Sequence, residues 1–233
     1  GGEAKIARPT SAEQVAAAMA LVQKEHGTLG LRGSGCSYGD ANINTKGHVL
    51  DTSGMKRILA FDPARGVITV EPGVTIREVW RHTIAFGWWP AVVPGTMAVS
   101  VGGAAGLNIH GKNNFAVGTF GEHILSFVLL TATGERLRCS RTENSEVYFA
   151  AIGGFGMLGC FLELTLQLKR VHSGRLRVWG IPAKDLAANL QLLEDLKGEA
   201  DYLVSWLDFH GKGAGLGRGL MHRADQLKSG EDP

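Results

Sequence analysis

The stretch that most constrains this chain runs Pro94-Gly95-Thr96-Met97-Ala98-Val99-Ser100-Val101-Gly102-Gly103-Ala104-Ala105-Gly106-Leu107-Asn108-Ile109-His110-Gly111-Lys112-Asn113. A segment with so few bulky side chains can pack as a Gly/Ala-rich helix in a core, with His110 satisfied internally. It can equally present its N–H groups to a ligand. The His, Lys and Asn at its far end favour the binding surface, because they can hydrogen-bond, titrate or neutralise phosphate. Two further glycine loops flank it, Arg32-Gly33-Ser34-Gly35-Cys36-Ser37-Tyr38-Gly39-Asp40 before and Gly153-Gly154-Phe155-Gly156-Met157-Leu158-Gly159 after. The chain holds 33 glycines in 233 residues, about twice ordinary usage. We read the three loops as parts of one cradle for a large, phosphate-bearing cofactor.

The first loop contains Gly33-x-Gly35, with Gly39 one place beyond the dinucleotide-fold spacing. A dinucleotide fold needs a helix to start there and aim its dipole at the pyrophosphate. The sequence from Ala41 to Gly47 has no helical apolar period, so that fold is disfavoured. What remains is a nest of N–H groups or an ordinary tight turn. In the long stretch, Thr96 and Ser100 can donate to phosphate oxygens, and Lys112 can stabilise negative charge developing on a reduced cofactor ring. The third loop either sets its backbone against an adenine or ribose or merely joins a helix to a strand. Cys36 has no paired base, Trp80, Trp88 and Trp89 read as core, and no G-x-S-x-G context supports a hydrolase triad.

A net charge of +2 without basic runs gives no electrostatic footprint for nucleic acid. No apolar run approaches the ~18 residues of a membrane span, and the N-terminus lacks the basic-then-apolar pattern of a leader, so the expectation is a cytoplasmic protein with no transmembrane segment. Cys36, Cys139 and Cys160 are an odd set without metal-ligand spacing, which predicts reduced thiols and no metal site.

Capping-box patterns at Thr10/Glu13 and Ser11/Gln14 predict a helix over 11–26, and Thr75/Glu78 predicts another that Gly87 ends. Strands are predicted at 29–32 and 48–51, with hairpins at 57–62/67–71 and 124–131/135–139. A short helix at 143–151 delivers the third loop, and 160–168 is a strand. Beyond a boundary near 170–174 come a strand at 176–181, a helix at 183–196 and strands at 202–209 and 216–222. These are too few elements to close a sheet over a core of their own, and the ending Lys228–Pro233 reads as a loop tip of an unfinished unit.

Six segments in this order, Arg32–Asp40, Val93–Thr96, Val101–Ala104, Asn108–Asn113, Gly118–Gly121 and Gly153–Gly159, resemble the FAD-binding domain of the vanillyl-alcohol oxidase / p-cresol methylhydroxylase flavoprotein superfamily. Within it, His110-Gly111-Lys112-Asn113 looks most like the decaprenylphosphoryl-ribose 2′-oxidases and their relatives. The resemblance covers about 8–170 well and the remainder faintly. It implies an α+β fold, with a two-subdomain FAD-binding domain over 1–171 and the start of an α+β substrate cap over 172–233.

By the same resemblance, Leu31, Arg32, Gly33, Ser34, Gly35, Cys36, Ser37, Tyr38, Gly39, Asp40 and Ala41 would wrap the pyrophosphate. Gly95, Thr96, Ser100, Val101, Gly102 and Gly103 would support phosphate and ribityl groups. Leu107, Asn108, Ile109 and His110 would line the isoalloxazine, and Phe161 would meet the adenine through its backbone. Tyr38 and Lys112 would face the substrate side, with Lys112, His110 and Tyr38 the catalytic candidates. Many members carry at the Cys36 position a His bonded to the flavin, whereas the decaprenylphosphoryl-ribose oxidases have Arg and hold FAD without a bond; dissociable FAD is expected here. The family's cap-borne catalytic residues have no counterpart in these 233 residues.

The implied function is hydride transfer from an alcohol carbon of a sugar-like substrate to flavin N5, with oxygen or a quinone-like acceptor reoxidising the flavin. An NADPH-dependent flavin reductase of the peptidoglycan-precursor type, or a flavin-binding protein without turnover, are the alternatives.

Overall fold

The computed structural model describes residues 3–39, 41 and 43–233. Helix α1 (Ala12–Lys24) starts where Ser11 accepts the N–H of Gln14 at 3.3 Å and Gln14 reaches back to the N–H of Thr10 at 2.8 Å. The reciprocal bonds of a capping box are thus split over two residues. The buried face of α1, Val15, Met19 and Val22, packs beside a small parallel sheet of β1 (Lys5–Ala7), β2 (Leu29–Arg32) and β3 (His48–Asp51), ordered β1-β3-β2.

Hairpin β4 (Ile58–Asp62) and β5 (Val67–Val70) turns around Asp62, whose carboxylate accepts the N–H groups of Ala64 and Arg65 at 2.9 and 3.1 Å. A complete capping box between Thr75 and Glu78 opens α2 (Ile76–Thr83), and Gly87 at φ +75° ends the turn that follows it. The chain continues through β6 (Trp88–Trp89), α3 (Val101–Gly106) and α4 (Asn114–Val117) into the second hairpin, β7 (Ile124–Thr131) and β8 (Arg136–Ser140). After α5 (Ser145–Ala151), strand β9 (Gly159–Gln167) inserts between the two hairpins. The result is a five-stranded antiparallel sheet ordered β4-β5-β9-β7-β8. Strand β10 (Lys169–Arg170) then pairs back onto β6.

One face of this sheet, with Ile68, Val70, Phe127, Leu129 and Phe161, packs against α2, α3 and α5 in the main core. Tyr148 of α5 stacks on Phe127 at 5.4 Å and donates its hydroxyl to the Ile124 carbonyl. The opposite face, with Val128, Leu130, Cys160 and Leu162, shares a second cluster with α1 and the parallel sheet. Burial on both faces explains why β7 runs apolar from Phe127 to Leu130, each large side chain contributing roughly 1.5–3 kcal/mol.

The C-terminal residues form β11 (Leu176–Ala183), α6 (Leu186–Leu196), β12 (Tyr202–Leu207) and β13 (Gly219–Gln226), with sheet order β11-β13-β12. Contrary to expectation these elements have a small core of their own: α6 covers one face, burying Leu203 and Met221 beneath Leu192, Leu193 and Leu196. Asn189 of α6, fully enclosed, donates to the Gly217 carbonyl at 2.7 Å and ties the helix down. The last strand starts later than expected, because Asp208 closes the connecting loop: its N–H donates to the Arg218 carbonyl and its carbonyl accepts the Gly217 N–H, both at 2.9 Å, and its carboxylate pairs with the Arg218 guanidinium at 3.0 Å. On the face away from α6, Val178, Trp206 and Leu220 are exposed. No helix among the described residues is long and apolar enough to cross a membrane.

Candidate functional site: a three-loop cradle

Strand β2 ends at Arg32, and at Gly33 the chain runs directly against the long stretch. A Cβ on Gly33 would lie 2.1 Å from Ser100 Oγ, so a larger residue there would force the two segments apart. Ser100 Oγ accepts the Ser34 N–H at 3.3 Å and, as N-cap of α3, the Gly103 N–H at 3.4 Å. Its hydroxyl proton stays available for a third partner. Ser34 Oγ is itself buried and has no hydrogen-bond partner among the described residues. A polar atom in that state costs on the order of 1–3 kcal/mol unless something bonds it.

Helix α3 packs as the Gly/Ala-rich core helix of the first reading, although His110 beyond its end is exposed rather than satisfied internally. Val101, Ala104 and Ala105 are fully buried, and Gly102 lies so close to Pro72 that an added Cβ would meet it at 2.6 Å. The helix therefore packs as a core helix while its ends carry the polar residues. Val101 departs from the expected site: its side chain is in the core and its N–H donates to the Val74 carbonyl at 2.7 Å. The Gly102 N–H is likewise committed, to the Pro72 carbonyl at 2.8 Å. Both residues brace the cradle from behind. Pro72 is held in turn by buried Glu71, which accepts the Arg57 N–H at 2.8 Å and its guanidinium at 2.7 Å.

At its other end α3 closes with Asn108 in the left-handed region at φ +42°. The N–H groups of Asn108 and Ile109 bond the carbonyls of Ala105 and Ala104, both at 3.1 Å, the Schellman arrangement. Asn108 Oδ1 accepts the Gly121 N–H at 2.8 Å, and the Ile109 carbonyl accepts that of Phe120 at 2.8 Å. The third loop docks on the same helix, with the N–H groups of Gly153 and Phe155 donating to Ala105 and Gly106 at 2.9 Å. Phe161 stands close by, its ring edge-on to Phe127 and within 4.0 Å of a Cβ built on Gly106. All three loops thus meet around α3.

Beyond α3, His110 is exposed and Lys112 half-buried. The Lys112 N–H donates to the Val93 carbonyl at 2.9 Å and its ammonium to the Pro94 carbonyl at 3.0 Å. Its own carbonyl accepts the Leu203 N–H of β12 at 2.8 Å. Gly95 and Thr96 lie exposed beside Pro94, with Thr96 Oγ1 accepting the Ala98 N–H at 3.2 Å. In the first loop Gly35, Cys36, Gly39 and Ala41 are exposed and Ser37 half-buried; Tyr38 is 98% exposed, without a tie to Lys112 or His110. Leu31 packs against the third loop, within 2.7 Å of a Cβ built on Gly156. Asp40 falls outside the described residues.

Sequence reasoning counted Asn113 with the polar end of the stretch but gave it no role, and it left Gly111 and Leu203 out of the site. Asn113 is wholly buried, and a Cβ on Gly111 would lie 2.5 Å from the Val93 carbonyl oxygen. The signal for the first two was present in the His-Gly-Lys-Asn motif. Leu203 carried none.

The FAD binding domain family matches residues 4–140, well over half of the chain. The chain belongs to this family. As an FAD-binding domain it takes FAD as cofactor, and its relatives include proteins named as oxidases and as FAD-linked oxidoreductases. It is 34% identical, over 87% of its length and 44% of the other's, to decaprenylphosphoryl-beta-D-ribose oxidase of Mycolicibacterium smegmatis. It is 30% identical to bovine (Bos taurus) L-gulonolactone oxidase over 69% of this chain and 36% of that protein. An uncharacterised FAD-linked oxidoreductase of Mycobacterium tuberculosis is 30% identical over 71% of this chain and 37% of its own. The chain therefore spans less than half the length of these relatives. The cradle's chemistry fits a dinucleotide: a buried hydroxyl at Ser34 without a partner among the described residues, a spare proton on Ser100, exposed glycine backbone and a lysine at its edge.

Proposed function

We propose that this chain is the FAD-binding part, over residues 1–171, and the start of the substrate cap, over 172–233, of an oxidoreductase acting on an alcohol carbon of a sugar-like molecule. The convergence of the three glycine loops on α3, with Lys112 beside them, carries this reading. The names of two relatives, a decaprenylphosphoryl-ribose oxidase and an L-gulonolactone oxidase, support a sugar-derived alcohol. Three free thiols, two of them buried, support a reducing compartment such as the cytoplasm.

When bound, FAD supplies a two-electron hydride acceptor at N5, which oxygen or a quinone-like acceptor reoxidises. The N–H groups of the Gly33–Gly39 loop and the hydroxyls of Ser34 and Ser100 hold the pyrophosphate, and Gly95, Thr96 and Gly103 border the phosphate and ribityl chain. Leu107, Asn108, Ile109 and His110 line the ring system, Phe161 and the third loop border the adenine, and Lys112 opposes negative charge on the reduced ring. Tyr38 completes the substrate side. Exposed Cys36 forms no bond to the flavin, so the cofactor dissociates.

Absorbance before and after acid precipitation of FAD-loaded protein tests the last point: flavin colour in the supernatant is expected, and colour retained in the pellet overturns it. For the reaction, anaerobic bleaching of the flavin in the complete enzyme by a panel of sugar alcohols and lactones is expected. Bleaching by NADPH with none by the panel would overturn the oxidase reading.

A further inference from the structure

Asn113 has no exposed surface, and both ends of its amide are engaged by one short piece of backbone. Nδ2 donates to the Ala91 carbonyl at 2.7 Å and Oδ1 accepts the Val93 N–H at 3.2 Å. Burying an amide is costly unless it is satisfied, and removing it would orphan a donor on Val93 and an acceptor on Ala91. Lys112 depends on the same backbone, through its N–H to Val93 at 2.9 Å and its ammonium to Pro94 at 3.0 Å. Gly111 permits the approach, since any side chain there would strike Val93.

We propose that Asn113 is a positioning residue for Lys112. By holding Ala91–Val93 against the lysine, it fixes where the Pro94 carbonyl stands and thereby where the ammonium stands. A lysine stem is flexible and its charge strongly hydrated, so an ammonium aimed at a cofactor needs such a partner in a set place. The inference rests on the reading above that Lys112 faces the flavin.

The test is the midpoint potential of bound FAD, measured against indicator dyes. A nearby cation favours the reduced, more negative ring, so Lys112→Met is expected to shift the oxidised-to-reduced ratio roughly tenfold, about 30 mV downward for a two-electron couple. Asn113→Ala and the milder Asn113→Ser are expected to shift it downward by roughly threefold with Lys112 present. In the Lys112→Met background they should shift it no further, although they still lower the melting temperature. A shift of equal size in both backgrounds, no shift in either, or loss of FAD by every Asn113 variant assigns Asn113 to fold stability alone and overturns the proposal. Should Lys112→Met itself leave the potential unchanged, the placement of Lys112 beside the flavin fails, and the role of Asn113 falls with it.

Discussion

The Ser34 N–H donates to the Ser100 hydroxyl at 3.3 Å, joining residues 66 positions apart and bringing the first glycine loop onto the second. Ser100→Ala removes that acceptor and the N-cap of α3 together, and is expected to cost about 1–2 kcal/mol. Gly33→Ala, which drives a methyl group into the same hydroxyl, is expected to cost about 1–3 kcal/mol and to weaken FAD binding more than Ser100→Ala does. Thermal unfolding with and without FAD checks both. A Gly33→Ala protein with unchanged melting temperature and FAD affinity would show that the two loops do not meet in this way.

Lys112 is tied to Pro94 and Val93 through its own atoms and need not contact FAD to keep its place. Lys112→Met in the complete enzyme should therefore slow flavin reduction by substrate on the order of 10²-fold, the usual cost of losing one preorganised donor. FAD affinity should change by less than about threefold, under ~1 kcal/mol. Stopped-flow reduction and a flavin titration separate the two effects, and a loss confined to FAD affinity contradicts the role given to Lys112.

Stability should fall at alkaline pH through Cys160. Burial pushes its thiol from an ordinary 9.0 up to about 12. Between those values the unfolded chain releases a proton that the folded chain keeps, so the stability present below pH ~9 is lost as pH rises, by up to about 4 kcal/mol. Burial also raises the Tyr148 hydroxyl, which adds a decline of the same sign above its ordinary range. Urea unfolding at pH 8 and pH 10 is expected to differ by about 1.4 kcal/mol. Cys160→Ala should be less stable at pH 8 yet show a smaller loss on going to pH 10. An equal loss in both proteins would exclude the thiol as its source.

Acid should weaken the link between the C-terminal sheet and β10. Burial alone would raise the Asp201 carboxyl, but the Lys169 ammonium at 2.7 Å and the Gln226 N–H outweigh it and hold the group below its ordinary value. A depressed carboxyl contributes stability above its unfolded value and loses it as pH falls through the folded one. Limited proteolysis near 172–175 should accelerate below pH ~4. Lys169→Met should show that faster cleavage already at neutral pH; cleavage that is slow in the variant and insensitive to acid would refute the link.

Local chemistry made much of this structure legible. The Thr75/Glu78 box, the Asp62 hairpin turn and the apolar run of β7 each announce themselves within a few residues, and the ordered glycine motifs located all three loops. What stayed hidden depends on distant partners. Strand β1 is three residues held by β3, and β6 and β10 are two residues each that pair across the chain. Helix α3 was only one of two readings, because glycine disfavours helix and close packing against Pro72 is what supports it. Asn113 looked like part of a polar end, whereas its partners make it an internal brace.

Leu203 donates its N–H to the carbonyl of Lys112. Strand β12 of the C-terminal sheet is thereby tied to the main chain of Lys112. Any outward displacement of that sheet must either break this bond or pull the main chain of Lys112 along with it, so the placement of the sheet and the placement of the lysine are mechanically one.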